Sequence, residues 1–242
     1  ALYASRYVPD PWVPTRDVAE AERVTLATGA ATRLTERGRV FAPVEAPTGA
    51  VWAIQNDGAF TQWAVVEEGK ARAHTRFDRA RLKQLAPSPN GQTVAVLLNV
   101  KGTQRIYRAA SQPRKASQPR KAFRLRPWLG LEDATIYDVS WGPEGRYLLF
   151  SADLCGTPNV YAFDATTRRV RRLSNVPFGA CEPALSPDRS SVAFVADRHE
   201  RHALARMPFR PEAAPPVDTS RVILGTEQPR PPALRPQARR GC

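Results

Sequence analysis

The stretch IYDVSWGPEGRYLLFS, residues 136–151, decides the fold. It opens with a short semi-apolar run, Tyr137 to Trp141, and reverses at Pro143-Glu144-Gly145. It then continues as a denser apolar run, Tyr147 to Phe150. Proline presets φ for a turn and glycine accepts the positive φ that a tight reversal needs, so the stretch reads as two antiparallel strands. The second strand is apolar at successive positions, as expected of a strand covered on both faces.

The same pattern recurs in FAPVEAPTGAVWAI (41–54), LKQLAPSPNGQTVAVL (82–97) and ACEPALSPDRSSVAFV (180–195). The turn prolines are Pro47, Pro89, Pro143 and Pro187, at separations of 42, 54 and 44 residues. The long interval holds a tandem hexapeptide, ASQPRK at 110–115 and again at 116–121; without it the spacing matches its neighbours. A period of about 43 residues is that of four-stranded propeller blades. Within one unit the runs on either side of the turn are strand a, Tyr137 to Trp141, and strand b, Tyr147 to Phe150; CGTPN (155–159) leads on to strand c, Val160 to Phe163, and DATTRR (164–169) into strand d, Val170 to Leu173. The duplication is expected as a polar, exposed extension of the hairpin between strands c and d of its blade.

The expected fold is all-β: a β-propeller of four-stranded antiparallel blades, about five of them in a partial array. Residues 1–37 read as a partial N-terminal blade, with strands at 2–8, 21–27 and 30–35 around a Pro-rich excursion at 8–20. Blades follow at 38–80, 81–130 (carrying the duplication) and 134–178, then a partial blade at 180–209. Residues 210–242 read as a Pro-rich tail or linker, in which SRVILGT (220–226) is a candidate for the missing fourth strand of the last blade. Both ends look interrupted, which suggests a piece of a longer propeller of six to eight blades; closure of a five-bladed ring is the other reading.

The turn sequences LSPDR (185–189), WGPEG (141–145) and PSPNG (87–91) resemble the W-S-P-D-G signature of TolB-like, WD-repeat-like propellers. ATGAATRLT (27–35) and NVYAFDATTRRVRRLS (159–174) resemble that family's strand c, turn and strand d. The resemblance covers roughly residues 20–210, with departures: EAPTG (45–49) lacks the Ser and Asp, and SPDR (186–189) lacks the Gly. It implies a scaffold that binds protein partners, in the periplasm or another extracytoplasmic compartment of a bacterium. The alternative is the substrate-gating propeller of a larger serine peptidase resembling the prolyl oligopeptidase class, whose catalytic domain is absent from this sequence.

The 242 residues carry 36 Lys and Arg against 23 Asp and Glu, a formal net charge of +13. Only five of the basic residues are lysines, and the arginines are spread from Arg6 to Arg240. Arg72, Arg124, Arg126, Arg169, Arg171 and Arg172 fall in expected d strands, where charge discourages edge-to-edge pairing. That spread argues against a specific nucleic-acid surface and leaves polyanion binding as a weaker reading. No apolar run approaches the ~18 residues of a membrane helix.

No chemistry-bearing motif stands out. The string G-x-S-x-G, which sets a serine on a strained turn in α/β hydrolases, is absent. In RHERH (198–202), His199 and His202 are three apart in a hairpin loop, whereas zinc capture on a helix needs an i, i+4 pair. His74 stands alone in a strand d and reads as a surface residue. No catalytic, cofactor-binding or metal-binding residue is assigned, and the chain is expected not to be an enzyme. Trp52, Trp63 and Trp141 lie in strands and read as core; Trp12 and Trp128 lie in irregular segments and are the better candidates for a contact surface.

Three cysteines, Cys155, Cys181 and Cys242, include no CxxC pair. Cys155 lies in a b–c turn and Cys181 opens the next blade, which puts both on one face of a propeller. A disulfide between Cys155 and Cys181 and two unrelated thiols are both open readings. The turns at 55–60, 99–103, 153–158 and 197–202 are expected to carry any binding site.

Overall fold

A computed structural model describes residues 1–10, 13, 17–36, 38–58, 60–77, 79–110, 124–198, 201–225 and the backbone of 234–235. Trp12, His199, Cys242 and positions 111–121 of the duplication lie outside the described residues. The chain forms five small antiparallel sheets arranged as propeller blades. The first contains β1 (Leu2–Pro9), β2 (Asp17–Val24) and β3 (Ala31–Arg33). The second contains β4 (Val40–Glu45), β5 (Val51–Asp57), β6 (Phe60–Glu67) and β7 (Lys70–Phe77). The third contains β8 (Arg81–Pro87), β9 (Thr93–Val100), β10 (Thr103–Ala110) and β11 (Arg126–Leu131). The fourth contains β12 (Ile136–Trp141), β13 (Tyr147–Ala152), β14 (Asn159–Asp164) and β15 (Arg169–Arg172). The fifth contains β16 (Ala180–Leu185), β17 (Ser191–Arg198) and β18 (Arg201–Pro208). A single 3-10 turn, Thr219–Arg221, is the only helical element among the described residues.

The four a–b turns share one geometry. The N–H of Gly49, Gly91, Gly145 and Arg189 donates to the carbonyl three residues back, at 2.8, 2.9, 3.0 and 2.9 Å. All four residues have positive φ, 80°, 67°, 70° and 60°. Serine and a short polar side chain brace two of the turns: Ser88 Oγ bonds Asn90 Oδ1, and Ser186 Oγ donates to Asp188 Oδ1. Each innermost strand, β4, β8, β12 and β16, also carries an irregularity in its pairing with the next strand. A bulge adds local twist, and here it re-aims backbone N–H groups toward the preceding blade. Val139 N–H donates to Gln84 Oε1 at 2.9 Å and Glu182 N–H to Asp138 Oδ2 at 2.9 Å. Adjacent blades are therefore stitched at their inner strands by polar side chains.

Apolar layers fill the space between sheets. Trp52, Ile54, Trp63, Phe77, Leu82, Val96 and Leu98 join the second and third blades; Leu97, Ile106, Trp128, Phe150, Tyr161 and Phe163 join the third and fourth. Full burial of one such side chain contributes roughly 1.5–3 kcal/mol. Every residue of β14 is buried, and its apolar residues run without a break from Val160 to Phe163, as expected of a strand covered on both faces.

Trp128 is not a surface residue. It lies in β11, is buried, and packs edge-on to Phe163 with ring centroids 5.4 Å apart. Pro127 and Gly130 made that segment look irregular; Gly130 in fact makes room for the Arg105 side chain, which would lie 3.1 Å from a Cβ there. His74 is half-buried and edge-on to Trp63 at 5.1 Å, where burial lowers its pKa. The segment expected as an excursion at 8–20 already contains the start of β2, which pairs with the whole of β1, Leu2 opposite Val24 and Pro9 opposite Asp17.

The tail differs most from expectation. Val222–Leu224 (β19) does not complete the fifth sheet but adds to the outer edge of the third, Leu129 opposite Leu224 and Leu131 opposite Val222. Upstream of it, Pro216 bridges to Arg171 of β15, and downstream Leu234–Arg235 (β20) pairs with β7. From the end of β18 the tail thus runs backwards along the rim, meeting the fourth, third and second blades in turn. Arg171, expected to guard this edge by charge, helps to hold the tail, its Nη1 donating to Ala214 O at 2.8 Å, and Arg168 Nη2 donates to Gly225 O at 3.0 Å. Val217, Val222 and Leu224 pack on the core between the third and fourth blades.

Candidate functional site

The b–c turns emerge on one face, and two of them meet at a cleft of about 470 Å³ between the third and fourth blades. Gly102 comes from the β9–β10 turn and Thr103 and Gln104 from the start of β10, Asp133 and Thr135 from the connection between blades, and Asp153 to Gly156 from the β13–β14 turn. Of the four turns expected to carry a site, 99–103 and 153–158 line this cleft; among the described residues, 55–60 and 197–202 do not contribute to it.

Asp153 organises the cleft wall. Its Oδ1 accepts from Thr135 N–H at 2.6 Å and its Oδ2 from the Tyr137 hydroxyl at 2.7 Å, while its carbonyl accepts from Gly156 N–H at 2.7 Å. The hydrogen bond to Asp153 and, next, burial push the Tyr137 pKa up to about 12, so the phenol remains a neutral donor at physiological pH. Asp133, exposed with φ of 50°, leaves a carboxylate at the mouth. The wall is built from backbone and fixed polar groups, which suits recognition of polar or main-chain surface more than chemistry on a substrate.

Cys155 and Cys181 are both free thiols. Cys155 is exposed at the cleft, with the Arg172 guanidinium 3.9 Å from its sulfur. Cys181 is half-buried on the inner strand of the next blade; burial, and then the nearby Asp138 charge, push its pKa up. Asp138 is itself raised by burial, against bonds from Ser151 Oγ and the N–H groups of Glu182 and Ser151. His202 Nδ1 lies 2.6 Å from Asp197 Oδ1 across the β17–β18 hairpin. Among the described residues no three His, Cys, Asp or Glu side chains gather as a metal site, and no helix is long and apolar enough to cross a membrane.

The cleft was not legible as a site in the sequence, because its lining comes from three separated segments. Only the assignment of 99–103 and 153–158 to one face of a propeller pointed toward it.

No protein-family model matches the chain. Over 66 residues, 27% of this chain and 15% of the relative, it is 32% identical to the Tol-Pal system protein TolB of Francisella tularensis subsp. tularensis (strain WY96-3418). TolB from Acinetobacter baumannii superposes over 93% of this chain and 53% of its own, with a TM-score of 0.66 at 15% identity. A puromycin-hydrolyzing peptidase of Mycobacterium tuberculosis superposes over 88% of this chain and 35% of its own, with a TM-score of 0.58 at 12% identity. The chain thus has a TolB-like β-propeller fold and spans about half the length of the first of these structures and less of the second.

Proposed function

We propose that the chain is a non-catalytic TolB-like propeller that binds a protein partner at its loop face, in an extracytoplasmic compartment of a bacterium. The observation that carries this reading is the cleft between the third and fourth blades. Its polar groups are fixed by one another around Asp153, and it offers backbone and carboxylate at a rim otherwise committed to framework. Local likeness to a Tol-Pal system protein supports a partner in the bacterial envelope.

A photo-crosslinking residue at Asp133 tests the reading, with the same residue at the exposed Leu26 of the first blade as control. The expected result is one protein captured from an envelope extract through position 133 and not through position 26. Equal capture at both sites, or none, counts against it. Hydrolysis of peptide arylamides by the purified chain, lost on changing one serine or histidine, would overturn the non-catalytic part.

The second reading is a substrate-gating propeller in a larger peptidase, and it is favoured by the likeness to the propeller region of a peptidase. A hydrolase sequence in the same reading frame is its discriminating mark.

A further inference from the structure

We propose that the outer edge of β18 docks an acidic, extended segment of a protein partner, which joins the fifth sheet as its fourth strand. This surface lies apart from the cleft, and the proposal stands whichever partner the cleft takes.

The second, third and fourth blades each have four strands of their own, and the tail then covers their outer edges. The fifth sheet stops at three, and among the described residues no strand pairs with β18 on its outer side. Leaving β18, the chain turns at Pro211 to Ala213 and reaches β15 directly, so it passes this edge by. β18 is eight residues long, enough to template a strand.

The register says which groups it offers. Phe209 N–H donates to Ser190 O at 2.9 Å. Counting by twos, the pairs Val192–Met207, Phe194–Ala205 and Ala196–Ala203 are the hydrogen-bonded ones. The main-chain groups of His202, Leu204 and Arg206 therefore point away from β17, to the open edge. Their side chains stand on the face opposite the one that packs on the fourth blade through Ala205 and Met207. On that face Leu204 is 83% exposed, in a row with Val195 and Cys181 across the sheet.

Charge selects the occupant. Arg198, Arg201, Arg206 and Arg210 lie along the strand and its ends, and none makes an ion pair among the described residues. A strand laid beside β18 would set its own side chains next to His202, Leu204 and Arg206. His202 is already engaged by Asp197 at 2.6 Å, so the acidic preference comes from Arg206 and the flanking Arg198, Arg201 and Arg210, and the complementary segment carries an apolar residue beside Leu204 with acidic residues on either side of it. Main-chain hydrogen bonds supply affinity in such strand addition and the alternate side chains supply selectivity. This chain already uses the mode, since its own tail adds β19 to β11.

The probe is a fluorescein-labelled, end-capped peptide with the core Glu-Thr-Val-Thr-Glu, titrated with the full chain and followed by anisotropy at low and at physiological salt. Two further peptides carry backbone N-methyl groups, one on each alternate set of residues. The expected result is saturable binding, weakened at least about tenfold by only one of the methylated sets, because only one set faces the edge. Replacing both glutamates by lysine abolishes binding, and Arg206→Glu weakens it about fivefold or more. Amide exchange at His202, Leu204 and Arg206 slows on binding. Binding that tolerates both methylated sets would mean charge attraction alone and would overturn the proposal. So would absence of binding at millimolar peptide, or protection appearing elsewhere than β18.

Discussion

Arg189 takes the left-handed conformation, φ 60°, that Gly145 takes at φ 70° in the equivalent turn one blade earlier, and its guanidinium pairs with Glu144 of that same earlier turn at 2.9 Å. Two effects oppose each other there. A side chain at positive φ costs about 1–2 kcal/mol relative to glycine, while an exposed ion pair returns about 0–1 kcal/mol. The backbone cost is the larger. Arg189→Gly should therefore raise the melting temperature by about 2 °C, the scale of ~1 kcal/mol in a domain of this size. Arg189→Ala loses the pair without relieving the backbone and should not raise it. Calorimetry on the two variants checks both directions.

Gly225 closes the contact between the tail and the third blade. A Cβ there would come within 1.9 Å of the Pro127 carbonyl oxygen, and neither partner is a flexible side-chain end. Gly225→Ala should lift β19 from β11 and cost about 1–3 kcal/mol, the range for overpacked sites. Limited proteolysis should cut the variant within 217–225 well before the parent. Unchanged cleavage would mean that the tail is not held at this point.

Two carboxylates should act on acid stability with opposite sign. Asp188 is held down to about 2 by the hydroxyl of Ser186 and by Ser190, from an ordinary value of 3.8. Its contribution is present above 3.8 and is lost as the pH falls toward about 2; Asp188→Asn should flatten the acid limb of a pH–stability curve in that window. Asp138 is raised by burial, so the folded state holds its proton more tightly than the unfolded chain does. Its contribution is greatest below the ordinary carboxylate value and fades as the pH rises above it. Asp138→Asn should remove that decline, read by denaturant titration as the pH rises from the ordinary carboxylate value.

The two described thiols should react at different rates. Cys155 is exposed beside Arg172, whereas Cys181 is half-buried with a raised pKa, and the thiolate is the reactive form. Alkylation near pH 8 followed by mass spectrometry should label Cys155 first, and Asp138→Asn should speed the labelling of Cys181. Mild oxidation before labelling tests their pairing: a bond between them protects both together, and Cys155→Ser then restores Cys181.

The repeat was legible because its signal is local. Pro47, Pro89, Pro143 and Pro187 mark turns whose hydrogen bonds hold the same geometry even where Arg189 replaces glycine. The apolar run Leu148 to Phe150 announced a central strand for the same reason: burial on both faces leaves no alternation to misread. Trp128 was misread because Pro127 and Gly130 punctuate like a loop, while their service to Arg105 and to the tail is a tertiary matter. The site for β19 was hidden in the same way. Val222, Ile223 and Leu224 announce a short strand, but nothing in three residues says which of several outer edges will receive it.

The backward path of the tail bears on how the molecule comes apart. In a row of blades each unit leans only on its neighbours, so an array can fray from one end. Here residues beyond the fifth blade are hydrogen-bonded to the fourth, third and second. Opening the third blade's outer edge must release β19, and with it the anchorage on either side. This segment thus ties separate local units into one cooperative transition, and its docking comes late in folding because the edges it joins must already exist.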